Sequence, residues 1–296
     1  MMPRPFRPLL GAVLALATPI AGVPAAAETI LFVGNSFTFG AGSDAMRYRP
    51  GSVTDLNGEG IGGVPAIFKR FAEQAGLDYD VALETGGGRS LAWHLAERRA
   101  RIDRVWDRVV LQEYSTLDAA RPGDPARLVA DTRALAALFA ARNPRVRLYL
   151  TATWSRPDLV RAGGNPWSGR PIAAMAQDVR RAYDRAAAAA APTMPAVAPV
   201  GQAFTCAIRA GVADADPYDG IEPGRLDLWA ADHYHASTAG YYLEALVLFG
   251  TITGRDPRSL GANEAAAADL GLSPAQASAL QDVAQRAIAT DGGCGR

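Results

Sequence analysis

Short, almost unbroken apolar runs alternate along this chain with longer stretches of helical spacing. Thr29 to Val33 is a run of five apolar or β-branched residues that ends in Gly34-Asn35-Ser36. A short run closed by turn residues reads as a fully buried strand. Val64-Pro65 then opens a helix whose Ile67, Phe68 and Phe71 repeat on one face, and Gly76 stops it. Residues 79–84 alternate as a second strand ended by Gly86-Gly87-Gly88, and a helix follows over 91–101. Residues 109–112, 146–151 and 196–200 supply three more strands, and 125–142, 171–191, 201–210, 237–250 and 273–288 read as helices. Strands alternating with helices predict an α/β domain with a parallel sheet of five strands covered on both faces. No linker or internal repeat divides it.

Composition changes this picture at the N-terminus. Arg4 and Arg7 precede the apolar stretch Leu9 to Ala17, and Ala25-Ala26-Ala27 precedes Glu28. That order is the pattern of a secretory signal. Pro19 and Pro24 interrupt the segment, so its apolar run falls far short of the roughly 20 residues that span a bilayer. The expected organisation is a signal peptide over residues 1–27 and one domain over 28–296, exported to the periplasm or secreted. The whole chain has a formal net charge of +0; removing the two leader arginines leaves the rest near −2. This balance gives no electrostatic case for nucleic acid, and no later stretch is apolar enough to cross a membrane. Cys206 and Cys294 are the only cysteines, and an oxidising compartment would let them pair.

The candidate chemistry gathers at strand ends. Ligands of open α/β sheets bind just past the carboxyl ends of strands, where Ser36 lies. Ser36 is either an exposed nucleophile or a helix cap. The chain has three histidines, His94, His233 and His235. Asp232 stands three residues before His235, a spacing that lets a carboxylate reach Nδ1 and leaves Nε2 to accept a proton from a serine. The alternative is a metal held by His233, His235 and a carboxylate such as Glu113 or Asp232. Donors for a developing oxyanion are the Ser36 N–H, the Gly86-Gly87-Gly88 turn and the Gln112 amide, each at a strand's end. The glycine-rich stretch Gly40 to Gly63 begins beside Ser36 and either borders the site or is a surface insertion. Asn35, His94 and Trp154 are candidate substrate contacts. His94 would line the pocket mouth, unless it packs within its helix. Trp154 and Trp167 flank the loop Ser155 to Arg170 and either stack on a sugar or acyl group or pack internally.

Two of these blocks resemble the SGNH (GDSL-type) hydrolases. Gly34-Asn35-Ser36 resembles the family's G-D-S block with asparagine for aspartate, and Asp232-His233-Tyr234-His235 matches its D-x-x-H block, followed by Ser237, Gly240 and Tyr241. Gly88-Arg89-Ser90 resembles the second block and carries the oxyanion glycine onto Gly88, with Gly87 one register away. The third block, G-x-N-D, has no match. Gln112-Glu113-Tyr114-Ser115-Thr116 stands there, with Thr116 in the asparagine's register, and Gln-Glu resembles divergent branches. The resemblance implies a three-layer α/β/α sandwich with a five-stranded parallel sheet and ester hydrolysis without a cofactor or metal. It implies Ser36 as nucleophile, His235 as base, Asp232 as its orienter, and Ser36, Gly88 and Gln112 around the oxyanion. The expected partner is a small-molecule or glycan ester, with an acetylated carbohydrate as the leading case. A lipase, lysophospholipase or thioesterase, or a non-catalytic glycan-binding module of the same fold, is the alternative.

Overall fold

The computed structural model describes residues 1, 2, 27–191, 193 and 196–295. Of the leader expected over residues 1–27, all but 1, 2 and 27 lie outside the described residues. In chain order the elements are β1 (Glu28–Gly34), α1 (Ser36–Phe39), β2 (Thr54–Asp55), α2 (Gly63–Gln74), β3 (Tyr79–Thr85), α3 (Leu91–Glu97), α4 (Arg99–Ile102), β4 (Arg108–Leu111), α5 (Ala126–Arg142), β5 (Arg147–Thr151), α6 (Pro157–Arg161), α7 (Ala173–Ala189), β6 (Ala196–Ala198), α8 (Val200–Arg209), α9 (Thr238–Thr253), α10 (Ala265–Asp269) and α11 (Pro274–Ala289).

The strands form one sheet in the order β2-β3-β1-β4-β5-β6, every pair parallel. The sheet therefore has six strands where five were expected. The extra one, β2, is two residues long and sits inside the glycine-rich stretch, too short to write an alternation in the sequence. The helix expected over 91–101 is likewise two, α3 and α4. It breaks at Arg98, whose guanidinium lies 4.4 Å over the Trp93 ring.

Successive residues of β1 point to opposite faces, and both faces are covered. Ile30 and Phe32 join a core with α2, α8, α9 and α11, whereas Leu31 and Val33 join one with α3, α5 and α7. This burial on both sides is why β1 reads as a continuous apolar run. The result is a three-layer α/β/α sandwich. Gly34 lies opposite Thr85 and Val33 opposite Leu111, so the chain leaves β1, β3 and β4 along one rim. Cys206 and Cys294 form a disulfide with Cα atoms 5.1 Å apart, which ties the C-terminal tail to α8. No described helix is long and apolar enough to cross a membrane.

Candidate active site

The turn after β1 leaves no room for a side chain at its first position. A Cβ on Gly34 would lie 2.1 Å from Thr38 Oγ1 and 2.8 Å from Gln112 Oε1. Asn35 caps α1, its Oδ1 accepting from the Phe37 N–H at 3.2 Å. Its Nδ2 donates to the carbonyls of Arg89 (3.1 Å) and Glu113 (3.3 Å). Ser36 is thereby the first residue of α1, and 7% of it is exposed. Its carbonyl accepts from the Ala41 N–H at 3.0 Å and from the Tyr241 hydroxyl at 3.2 Å. Among the described residues, neither its N–H nor its Oγ has a protein partner.

The Asp232–His235 loop faces this turn. Asp232 Oδ1 accepts from the N–H groups of Tyr234 (3.0 Å) and His235 (2.9 Å), and Oδ2 lies 2.6 Å from His235 Nδ1. Burial pushes the Asp232 carboxyl up, but the His235 ring and these two N–H groups outweigh it and hold it below its ordinary value. With Nδ1 occupied, Nε2 remains, buried and without a partner. No hydrogen bond joins it to Ser36 Oγ among the described residues. The His235 ring packs edge-on to Phe37, the residue after Ser36, at 5.7 Å between centroids. His233 takes a left-handed backbone (φ 53°) and sets its ring 4.0 Å from that of Tyr218. Among the described residues no group of three His, Cys, Asp or Glu side chains is placed to hold a metal ion.

On the other side of Ser36, the Gly86 N–H donates to the Gly34 carbonyl at 3.1 Å and fixes the glycine turn beside β1. Gly88 is exposed, with φ 65° and open space where a Cβ would stand. A glycine is required here by the backbone rather than by crowding. The N–H groups of Gly87 and Gly88 donate to no protein acceptor among the described residues.

Three expectations are corrected and a fourth is narrowed. Most of the Gln112 amide is engaged within the protein. Its Oε1 accepts from the Asn35 N–H and the Thr38 hydroxyl, both at 3.0 Å, and its Nε2 donates to the Glu113 carbonyl. The amide oxygen is committed to the β1 turn, and one of the two amide N–H groups has no protein acceptor among the described residues. Asn35, 2% exposed, is spent on the same turn and on its neighbours, so it is no substrate contact. His94 does not reach a pocket mouth either. It is fully buried, with Nδ1 against the equally buried Glu84 carboxylate. Trp154, also fully buried, stacks on Phe37 at 4.2 Å and on Phe204 at 5.1 Å, and its indole N–H donates to the Tyr234 carbonyl at 3.2 Å. It packs beneath the site and cannot face substrate.

One residue near the site had little signal in the sequence, and Glu113, read there as a possible metal ligand, binds backbone instead. The Arg156 guanidinium lies 3.6 Å over the Tyr234 ring, pairs with Asp158 at 2.6 Å and donates to Ser115 Oγ at 3.1 Å. Only its place in the Ser155–Arg170 loop pointed to it. Glu113, fully buried, accepts from the N–H groups of Tyr114 (2.6 Å) and Leu91 (3.2 Å). Burial pushes its carboxyl up to about 7, against the pull of those two N–H groups. A cavity of about 280 Å³ opens beside Gly88, Ser90 and Tyr114. A larger cavity, about 410 Å³, lies between α3, α4 and α5 and includes none of the candidate site residues.

No family model matches the sequence, and no curated protein matches it. Solved structures do match, and they define a class. The chain has the fold of the GDSL (SGNH) hydrolases. A DUF4886 family protein from Bacteroides uniformis aligns over 90% of this chain and 97% of its own, at 18% identity and a TM-score of 0.62. A putative GDSL-like lipase from Parabacteroides merdae aligns over 77% of this chain and 95% of its own (18% identity, TM-score 0.53). An acetylxylan esterase from Geobacillus stearothermophilus aligns over 76% and 94% (18% identity, TM-score 0.51). At this identity the likeness is one of fold.

Proposed function

We propose that this chain is an exported serine esterase that hydrolyses short O-acyl esters, with Ser36, His235 and Asp232 as its triad. The observation that carries the reading is the state of His235. Its Nδ1 is committed to Asp232 at 2.6 Å, while Nε2 is buried and unpartnered on a ring packed against Phe37, the residue that follows a serine whose hydroxyl and N–H are both uncommitted. Catalytic hydrogen bonds are often long before substrate arrives, so the missing Ser36–His235 bond fits a resting site.

In this reading Ser36 Oγ attacks the acyl carbon as its proton passes to His235 Nε2. The carbonyl oxygen becomes an oxyanion facing the N–H groups of Ser36 and Gly88. His235 then returns the proton to the leaving alcohol, and water repeats the sequence to release the acid. Asp232, held ionised, supports the imidazolium formed between these steps. Export is favoured by the leader pattern and by the Cys206–Cys294 bond, which belongs in an oxidising compartment. The titratable chemistry of the triad needs no cofactor.

One observation favours a second reading, a non-catalytic ester- or glycan-binding module: the Gln112 amide oxygen and one of its two N–H groups are engaged within the protein, which leaves at most one side-chain donor for the oxyanion. Hydrolysis of p-nitrophenyl acetate, butyrate and octanoate separates the two. The esterase reading expects turnover that favours acetate and falls by about 10³-fold or more in Ser36→Ala. Equal rates for the wild type and the variant on all three esters would count against hydrolysis of simple esters and favour the binding module or a substrate whose alcohol half assembles the site.

A further inference from the structure

The face of β3 turned to α3 is apolar except at one place. Ala82 packs there with Leu31, Val33 and Leu91, and Glu84, two residues on, points to the same face. Its carboxylate is fully buried, opposite Val33 in the sheet, with Oε2 on Nδ1 of the fully buried His94. Oε1 lies 3.6 Å from Arg98 Nε and has no hydrogen-bond partner among the described residues, and neither has His94 Nε2. Replacing a buried pair of this kind by apolar side chains of similar size often costs no stability, whereas removing one partner is strongly destabilising. What the pair adds over two leucines is direction.

That direction is needed by α3. The helix has seven residues, too few to be stable without tertiary support, and Ser90 makes no side-chain capping bond at its start. Two buried carboxylates hold it instead. Glu113 accepts from the Leu91 N–H at 3.2 Å, and Glu84 takes His94. The same helix carries Trp93, and Gly86 rests on that ring. A Cβ at Gly86 would lie 2.8 Å from Trp93 Cζ3 and 2.9 Å from Arg89 Cγ. The indole is itself held by Arg98, 4.4 Å over the ring, and by His94, edge-on at 5.0 Å.

Contacts thus run from Glu84 through His94 and Arg98 to Trp93, and from Trp93 to Gly86. The glycine turn is tied to the serine turn at both ends. The Gly86 N–H donates to the Gly34 carbonyl at 3.1 Å, and the Arg89 carbonyl accepts from Asn35 Nδ2 at 3.1 Å. Between these ties stand the N–H groups of Gly87 and Gly88, which donate to no protein acceptor among the described residues. Neither glycine has a side chain to restrain its backbone, so the direction of these two donors depends on the floor that Trp93 gives Gly86.

We infer that Glu84 and His94 are positioning residues for the oxyanion turn, acting through Trp93 on the N–H groups of Gly87 and Gly88. The inference rests on the esterase reading and adds to it what aims the oxyanion donors. The test uses the double variant Glu84→Leu/His94→Leu, which keeps the layer filled, and Trp93→Leu, which keeps the pair and removes the floor. Thermal unfolding checks that both fold. In each, kcat on p-nitrophenyl acetate should fall about tenfold to a hundredfold with KM unchanged. A short alkyl trifluoromethyl ketone reads the oxyanion directly. Ser36 Oγ adds to its carbonyl carbon, the hydroxyl proton passes to His235, and the former carbonyl oxygen becomes an anion facing the turn. Its inhibition constant should rise by the factor lost from kcat/KM. A pair that only supports the fold would lower the unfolding midpoint and move neither number. Values within about twofold of wild type in the folded double variant overturn the inference, as does a fall in kcat with no rise in the inhibition constant. Should the wild type hydrolyse no ester, the esterase reading itself fails, and the backbone ¹⁵N order parameters of Gly87 and Gly88 decide on the pair. A fall from about 0.85 in the wild type to below about 0.6 in the double variant upholds its hold on the turn, and unchanged values overturn it.

Discussion

Gln112 and Glu113, adjacent in sequence, fasten three loops at the rim of the sheet. Gln112 holds the β1 turn through the Asn35 N–H, and the Glu113 carbonyl accepts from Asn35 Nδ2. The Glu113 carboxylate in turn takes the first N–H of α3. This pair therefore does the joining work, and the chain's departure from G-x-N-D is a change of scaffold at that point. The buried Glu113 has a measurable consequence. Burial raises its carboxyl from an ordinary 4.5 to about 7, so the folded chain holds that proton more tightly than the unfolded one. The associated stability is fully present below pH 4.5 and is lost as pH rises through 7. Glu113→Gln keeps an acceptor oxygen and removes the charge. It should gain on wild type by up to about 3 kcal/mol between pH 4.5 and 8, read as diverging unfolding midpoints. Parallel midpoints across that range would show that Glu113 is ionised throughout. At this scale only local relations were legible in the sequence. Asp232 and His235 share one turn, so their bond followed from spacing. The partners of Gln112 lie 77 and 74 residues away, and nothing in the local pattern encodes them.

At the scale of elements, the segment after β5 grips the base loop. Trp154 donates to the Tyr234 carbonyl, Arg156 covers the Tyr234 ring, and the Asp158 N–H donates to the His233 carbonyl at 3.3 Å. Trp154 also stacks on Phe37, so one indole touches both the serine turn and the histidine loop. Trp154→Phe keeps a ring in the stack and removes the N–H. A single such bond is worth about 1 kcal/mol, so kcat should fall about fivefold to tenfold with KM unchanged. An unchanged kcat in a folded variant would remove Trp154 from the positioning of His235. Strands buried on both faces were legible because burial writes an unbroken apolar run, as in Ile30 to Val33. The two residues of β2 carry no period, and the break at Arg98 is marked by no Gly or Pro in Glu97-Arg98-Arg99-Ala100. Trp154 itself reads the same in sequence whether it faces a ligand or a core.

Over the whole molecule, the parallel sheet delivers the ends of β1, β3 and β4 to one rim, and the loop before α9 brings Asp232 and His235 back to it. The long separation between these blocks, Ser36 to His235, is closed by the Tyr241 hydroxyl on the Ser36 and Ala41 carbonyls and by the aromatic stack of Phe37, Trp154 and Phe204. The disulfide braces the tail against α8. The account turns on Ser36 being an activated nucleophile, and that is measured most directly by covalent labelling. The purified chain is incubated with a fluorophosphonate and examined by intact mass and peptide mapping. One adduct per chain is expected, on Ser36, absent in Ser36→Ala and formed at least about a hundredfold more slowly in His235→Ala. No adduct on the wild type, or an adduct that survives in Ser36→Ala, would contradict it.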